Sequence, residues 1–290
     1  MEKSPLFSIV SVTKDNLDGL RRTAESLKIQ QESDFEWIVI DGASTDGTAD
    51  YLAQENIVFR SEPDAGIYDA MNKGLALARG EYVLFLNAGD TLAEAQTLSA
   101  LRERIAHRLP PPDFVYGDSF ELGKGKQYFK PARDHNTLAQ GMFTHHQAML
   151  YRRAALGHMH YNIRYKLAGD YDFTSAFLLS LRDTPERIFY CDIPICVFEG
   201  GGATHYRAAD ARAEESEIRR ARGLATPYES AVIGIRQHFA WALRSLSPAL
   251  YRALRSSCNT PPGSVQSDSR ARHPEIPPSA HSSEKRLRLT

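Results

Sequence analysis

The sequence predicts an α/β fold, a mostly parallel central sheet with flanking helices. Two observations predict it. Strand-like and helix-like hydrophobic patterns alternate through the first hundred residues, as in doubly wound sheets. Polar loops also follow the strand ends in chain order. Sheets of this kind bind ligands beyond the carboxyl ends of their strands, and here Val12, Asp41, Glu62 and Asn87 mark those ends.

Each element follows from its own pattern. Phe7–Val12 is a short apolar run rich in β-branched residues. Leu17, Leu20, Ala24 and Leu27 recur at helical spacing. Phe35–Asp41 reads as a buried strand, Asn56–Glu62 as a weaker one and Tyr82–Asn87 as a fourth. Between the last two, Asp69–Arg79 carries Met71, Leu75 and Ala78 on one side of a helix. The pattern then changes. Asp113–Leu122 and Gln127–Pro131 read as strands joined by Gly-Lys-Gly-Lys. Phe143–Arg153 reads as a strand and Tyr171–Arg182 as a helix. Arg187–Phe198 is extended, with Pro194 placing its centre at an edge or bend. Ala208–Gly223 is a highly charged helical stretch. After Pro227 a helix carries the stripe Val232, Ile235, Phe239, Leu243 and Leu246, and Ser247-Pro248 reads as a cap and restart. Ser256–Thr290, rich in Ser, Pro and charge without an aromatic residue, reads as a disordered tail.

A formal net charge of −1 over 290 residues gives no reason to expect nucleic acid as a partner. Cys191, Cys196 and Cys258 form no metal-ligand spacing, and an odd number fits a reducing cytoplasm. The start MEKSPLFSIVSV lacks a signal peptide's apolar core. No apolar run approaches the roughly 18–20 residues of a membrane span.

Three polar segments carry the chemistry, and each has a plain structural alternative. Asp41 opens Asp-Gly-Ala-Ser-Thr-Asp-Gly-Thr at a strand end, where it can accept hydrogen bonds from a base or ribose. The alternative is an ordinary βα turn with a helix cap. Ser61–Gly74 crowds polar groups around a helix start, whose amides suit an anion and where Lys73 adds charge. The alternative, with Asp69 as cap and Lys73 solvated, leaves Asp64, Asn72 and Gly74 less well explained. Asn87-Ala88-Gly89-Asp90 places the Asp90 carboxylate, with Asn87 as an oxygen donor, where a hard divalent cation would neutralise a diphosphate. The alternative is an Asx-type turn.

Together these segments resemble the inverting family-2 glycosyltransferases of the GT-A fold, a Rossmann-like nucleotide-diphospho-sugar transferase fold. The matching stretches are SIVSVTKDN, EWIVIDGASTDGT, SEPDAGIYDAMNKGLALARGEYVLFLNAGD, HHQAMLYRR and LAGDYDF, from Ser8 to about Phe173, with weaker agreement to Gly202. The resemblance implies a GT-A domain over 1–205, with 1–100 holding the sugar nucleotide and 101–205 facing the acceptor. A helical extension over 206–255 and the tail over 256–290 follow. It implies that Val12, Thr13 and Asp41 hold the nucleoside, with Asp64, Lys73 and Asn87 completing the nucleotide site. Asp90 would hold Mn2+ or Mg2+, although NAGD replaces the family's fuller acidic cluster. His146, Gln147, Asp172 and the Gly201-Gly202 loop would lie near acceptor or sugar. Asp170 matches the catalytic base, while Gly169 stands where the family usually has Glu. For Asp170 the residue-level alternative is helix N-capping; for His146 it is a buried, hydrogen-bonded side chain.

The implied reaction moves a sugar from a nucleoside-diphosphate sugar to a hydroxyl of a glycan or lipid-linked saccharide. The overall resemblance is nearest to bacterial exopolysaccharide transferases such as those of colanic acid synthesis. That places the chain in the cytoplasm, at the inner membrane face, as a peripheral protein. A sugar nucleotidyltransferase and a non-catalytic glycan or sugar-nucleotide binder are the rival readings. The first normally carries a Gly-rich basic loop after the first strand, where this chain has Thr13-Lys14-Asp15-Asn16.

Overall fold

A computed structural model of the chain describes residues 4–55, 57–123, 125–200 and 207–246. The chain divides into two compact units, Met1–Gln237 and His238–Thr290. Of the second unit, the described part is the end of the last helix.

One nine-stranded sheet organises the first unit. Its strands are β1 (Phe7–Thr13), β2 (Phe35–Asp41), β3 (Val58–Ser61), β4 (Tyr82–Phe85), β5 (Thr91–Leu92), β6 (Phe114–Gly123), β7 (Lys126–Lys130), β8 (Met149–Arg152) and β9 (Ile188–Phe198). The order is β3-β2-β1-β4-β8-β6-β9-β5, and β7 pairs with β6. Parallel pairing joins β3, β2, β1 and β4, and also β6 and β9; β8, β7 and β5 run against their neighbours. The sheet is therefore mostly parallel, as expected, but its two halves are one continuous layer joined through antiparallel β8.

The helices are α1 (Leu17–Lys28), α2 (Thr48–Gln54), α3 (Ile67–Leu77), α4 (Thr97–Ala106), α5 (Arg153–Leu156), α6 (Gly169–Ser180), α7 (Ala208–Ala221) and α8 (Pro227–Leu246). Strand alternation sorts the core onto two faces. Val10, Val12, Ile38 and Ile40 join Met71 of α3 and Phe173 of α6. Ile9, Trp37 and Val39 join Leu20 of α1 and Leu98 of α4. Every residue of β1 is buried because helices cover both faces. Gly74 sits where α3 crosses β1: a Cβ there would lie 2.3 Å from Val10 Cγ1.

Several boundaries differ from the sequence reading. The third helix begins at Ile67 and the sixth at Gly169, each two residues early, because loop contacts rather than apolar residues start them. The strand expected from Phe143 begins only at Met149, after a 3-10 turn over His146–Ala148. Pro194 lies at the irregularity between β6 and β9, where the register shifts around Asp118, so its missing N–H interrupts no regular ladder. Two helices join those expected: short α2, with Leu52 as its buried apolar residue, and α4, which buries Leu98, Leu101 and Ile105 at helical spacing. Ser247-Pro248 and the tail lie outside the described residues.

Candidate active site

The loops at the carboxyl ends of β1, β2, β3 and β4 are sewn to one another. Asp15 accepts from Thr45 N at 2.8 Å, and its own N–H donates to Ser44 Oγ at 2.7 Å. Asp46 accepts from Leu17 N at 2.8 Å. Asn16 caps α1 through Gly19 N at 3.1 Å and donates to Ala88 O at 3.1 Å. The result is a firm rim of backbone and short polar side chains.

Within this rim the predicted nucleotide residues have distinct roles. The Val12 side chain lies in the core, so it offers the rim only its backbone, which accepts from Ala88 N at 3.1 Å. Thr13 is buried, with an Oγ1 that has no partner among the described residues. Asp41 is fully buried. Its carboxylate accepts from Ser44 N at 3.1 Å, from Ser44 Oγ, and from Ser61 Oγ at 2.6 Å. It therefore shapes the loop wall, and its oxygens are not presented to a base. Asp64 accepts from Gly66 N at 2.8 Å.

Lys73, expected to add charge at the nucleotide, pairs here with acids of its own segment. Its ammonium meets Glu62 at 3.0 Å, Asp69 at 3.5 Å and Pro63 O at 3.0 Å, so its charge is matched inside its own loop. Asn72, unexplained by sequence, brackets the Tyr161 backbone with bonds of 2.9 and 2.7 Å.

The fourth loop meets the second half of the chain. Asp90 is 5% exposed; Gln147 Nε2 donates to it at 2.6 Å and Glu199 N at 3.0 Å. Burial pushes its carboxyl up to about 6, against the lowering effect of these bonds. Beside it, Asn87 Oδ1 and Gln147 Oε1 are buried without partners among the described residues. No group of three His, Cys, Asp or Glu among those residues forms a ready metal cage. A hard cation bound through one carboxylate and substrate phosphates needs none. Asp90 and the free Asn87 oxygen fit that role.

Asn87 Nδ2 lies 3.4 Å from His146 Nε2, and His146 Nδ1 lies 3.4 Å from Asp170 Oδ2. Asp170 Oδ1 accepts from Tyr171 N at 2.9 Å and from Tyr68 OH at 3.3 Å. Asp170 is thus not an N-cap; the cap position is Ala168, and Asp170 stands in the first turn of α6. Its side chain stays 22% exposed. Burial raises its pKa, but His146 and these hydrogen bonds outweigh that and hold the carboxyl below its usual value.

Asp172 does not belong to this group. Arg222 holds it with two bonds of 2.7 and 2.9 Å, and it is 3% exposed. The sequence placed it near acceptor or sugar, but two residues along a helix its side chain points elsewhere. Gly201 and Gly202 lie outside the described residues. Sequence reasoning missed Tyr68, whose only signal was an aromatic residue in a polar helix start. It also missed Glu214, which accepts from the N–H groups of Lys166, Leu167 and Ala168 and so caps α6.

Known proteins resemble this chain in sequence or in fold. The profile of Glycosyl transferase family 2 matches residues 8–159. A PGL/p-HBAD biosynthesis glycosyltransferase of Mycobacterium bovis is 36% identical over 177 residues, 59% of this chain and 68% of the relative. The structure of S. aureus TarS 1-349 in complex with UDP has a TM-score of 0.59 at 19% identity, covering 86% of this chain and 75% of that one. The mannosyltransferase PcManGT from Pyrobaculum calidifontis, in complex with GDP-Man and Mn2+, has a TM-score of 0.57 at 17% identity, covering 90% and 78%. These two likenesses show the GT-A fold.

Proposed function

We propose that this chain, which belongs to glycosyl transferase family 2, transfers a sugar from a nucleoside-diphosphate sugar to an acceptor hydroxyl with inversion at the anomeric carbon. The observation that carries the reading is the placement of Asp170. It reaches from α6 through His146 to Asn87, beside Asp90, so a partly open carboxylate stands next to the loops suited to a diphosphate.

In this reading the acceptor oxygen forms the new bond to the anomeric carbon. Its proton passes to Asp170. The bond to the donor's β-phosphate oxygen breaks, and the nucleoside diphosphate leaves with that electron pair. One carboxylate suffices because the leaving group needs no protonation. His146 orients Asp170, and the sewn rim around Thr13 and Asp41 walls the nucleoside. Asp90 and Asn87 would hold a divalent cation, which supplies counter-charge to the diphosphate. Manganese beside GDP-Man in the mannosyltransferase and UDP on TarS support donor and cation class alike. The acceptor is a glycan or lipid-linked saccharide, in keeping with relatives named for PGL/p-HBAD biosynthesis and for teichuronic acid biosynthesis.

Product analysis with radiolabelled sugar nucleotides and a saccharide acceptor tests the reading. Labelled glycan together with free nucleoside diphosphate is the expected outcome. Pyrophosphate release would instead indicate a nucleotidyltransferase, and no release a binding module.

A further inference from the structure

We infer that Tyr68 is the positioning residue for the carboxylate that takes the acceptor's proton, and that glycine at position 169 makes room for it. The inference rests on the reading of Asp170 as base. Asp170 Oδ1 is held twice, by Tyr171 N at 2.9 Å and by the Tyr68 hydroxyl at 3.3 Å. Among the described residues Oδ2 has only the longer His146 contact at 3.4 Å. Oδ2 is therefore the oxygen with a lone pair open to the acceptor, and Tyr68 fixes which way it faces.

The tyrosine ring is not free to swing. It is 7% exposed and stacks on Tyr161 at 5.5 Å and 16°. Tyr161 in turn stacks on Phe173 of α6 at 4.1 Å and 12°. On its other side the ring presses on the start of α6: a Cβ at Gly169 would lie 2.7 Å from its carbons. Any side chain at 169 displaces the ring and pulls the hydroxyl from Asp170. This gives the departure at Gly169 a physical reason, since Tyr68 occupies the space a larger residue would need. Tyr68 is also the second residue of α3, four residues after Asp64, so it ties the nucleotide loop to the base.

The test is steady-state kinetics of Tyr68→Phe, Gly169→Ala, Asp170→Asn and the Tyr68→Phe/Asp170→Asn double variant, with pH profiles. Besides Tyr68, His146 from the 3-10 turn contacts Asp170, and among the described residues Tyr151 of β8, Tyr161 and Glu215 of α7 feel its charge. All remain in Tyr68→Phe. Losing a hydrogen bond to the ionised form raises the pKa of the base. The acid limb of the kcat profile should therefore move to higher pH, with kcat down roughly tenfold, the scale of a charge-assisted hydrogen bond, and donor KM little changed. Gly169→Ala should lower kcat similarly, although Ala favours a helix. In the Asp170→Asn background Tyr68→Phe should cost nothing further. If Asp170→Asn is strongly impaired while Tyr68→Phe keeps wild-type kcat and pH profile, or costs the same factor in both backgrounds, this inference is overturned. If Asp170→Asn retains near-normal turnover, the base reading itself falls.

Discussion

Two carboxylates stand two residues apart at the start of α6, in different surroundings. Asp170 is partly open and contacts His146; Asp172 is closed and bound to Arg222. Asp170→Asn is expected to cut turnover by roughly 10²–10⁴-fold, the usual contribution of general-base catalysis, with donor affinity retained. Asp172→Asn should lower the melting temperature and leave the turnover of the folded enzyme near normal. A reversal of these two outcomes would exchange their roles. Asp90 makes a different prediction, through pH. Its folded pKa, about 6, lies above its unfolded value of about 4. A raised folded pKa contributes stability that is present below pH ~4 and lost as pH rises through about 6. Relative to Asp90→Asn, the ligand-free wild type should therefore lose stability across that window. Urea titrations of both proteins from pH 4 upward measure the difference, and parallel curves would contradict the burial argument.

At the scale of elements, α7 is the clamp on the helix that carries Asp170. Glu214 caps the N-terminus of α6, Arg222 binds Asp172, and buried Arg219 donates to Ala139 O at 2.6 Å. Arg222→Ala would leave Asp172 buried and unmatched. We expect a loss of stability on the order of 1–3 kcal/mol, the cost of an unsatisfied buried group. Unchanged unfolding midpoints would show that α7 is not needed to hold α6. The last helix poses a separate question. Tyr228, Ile235 and Phe239 of α8 recur at helical spacing and are 79%, 70% and 68% exposed. Among the described residues no helix is long and apolar enough to cross a membrane. An exposed apolar stripe on a helix that also carries exposed Arg236 suits the surface of an anionic bilayer. The full chain should float with anionic vesicles, and Ile235→Glu/Phe239→Glu should not. Equal flotation of both proteins would remove α8 as the anchor.

For the whole molecule, ligand binding and folding are linked. A nucleoside diphosphate that binds only the folded chain stabilises it by about 2.7 kcal/mol at a hundred times its Kd. A panel of nucleoside diphosphates, with and without Mn2+, should show one base preferred and a further manganese-dependent rise in Tm. Asp90→Ala should abolish that further rise while keeping the nucleotide effect. A manganese effect that survives the substitution would move the cation elsewhere.

The alternation of apolar runs was enough to order β1, α1, β2, α3 and β4, because each is written in local periodicity that the sheet then buries. The strand-end rule likewise located the loops that carry Asp41, Asp64 and Asp90. Family resemblance marked Asp170 and His146 as candidates for the site. The tertiary structure alone decided what these side chains do. Asp41 is held by Ser44 and by Ser61 of β3, Lys73 pairs with Glu62 and Asp69, Asp172 goes to Arg222, and the bond from Tyr68 to Asp170 joins residues 102 positions apart. Hydrophobic periodicity is a property of neighbouring residues and survives in one dimension. A carboxylate's role is set by the partners that reach its oxygens, and those arrive from β3, α7 and α3 only when the chain is folded.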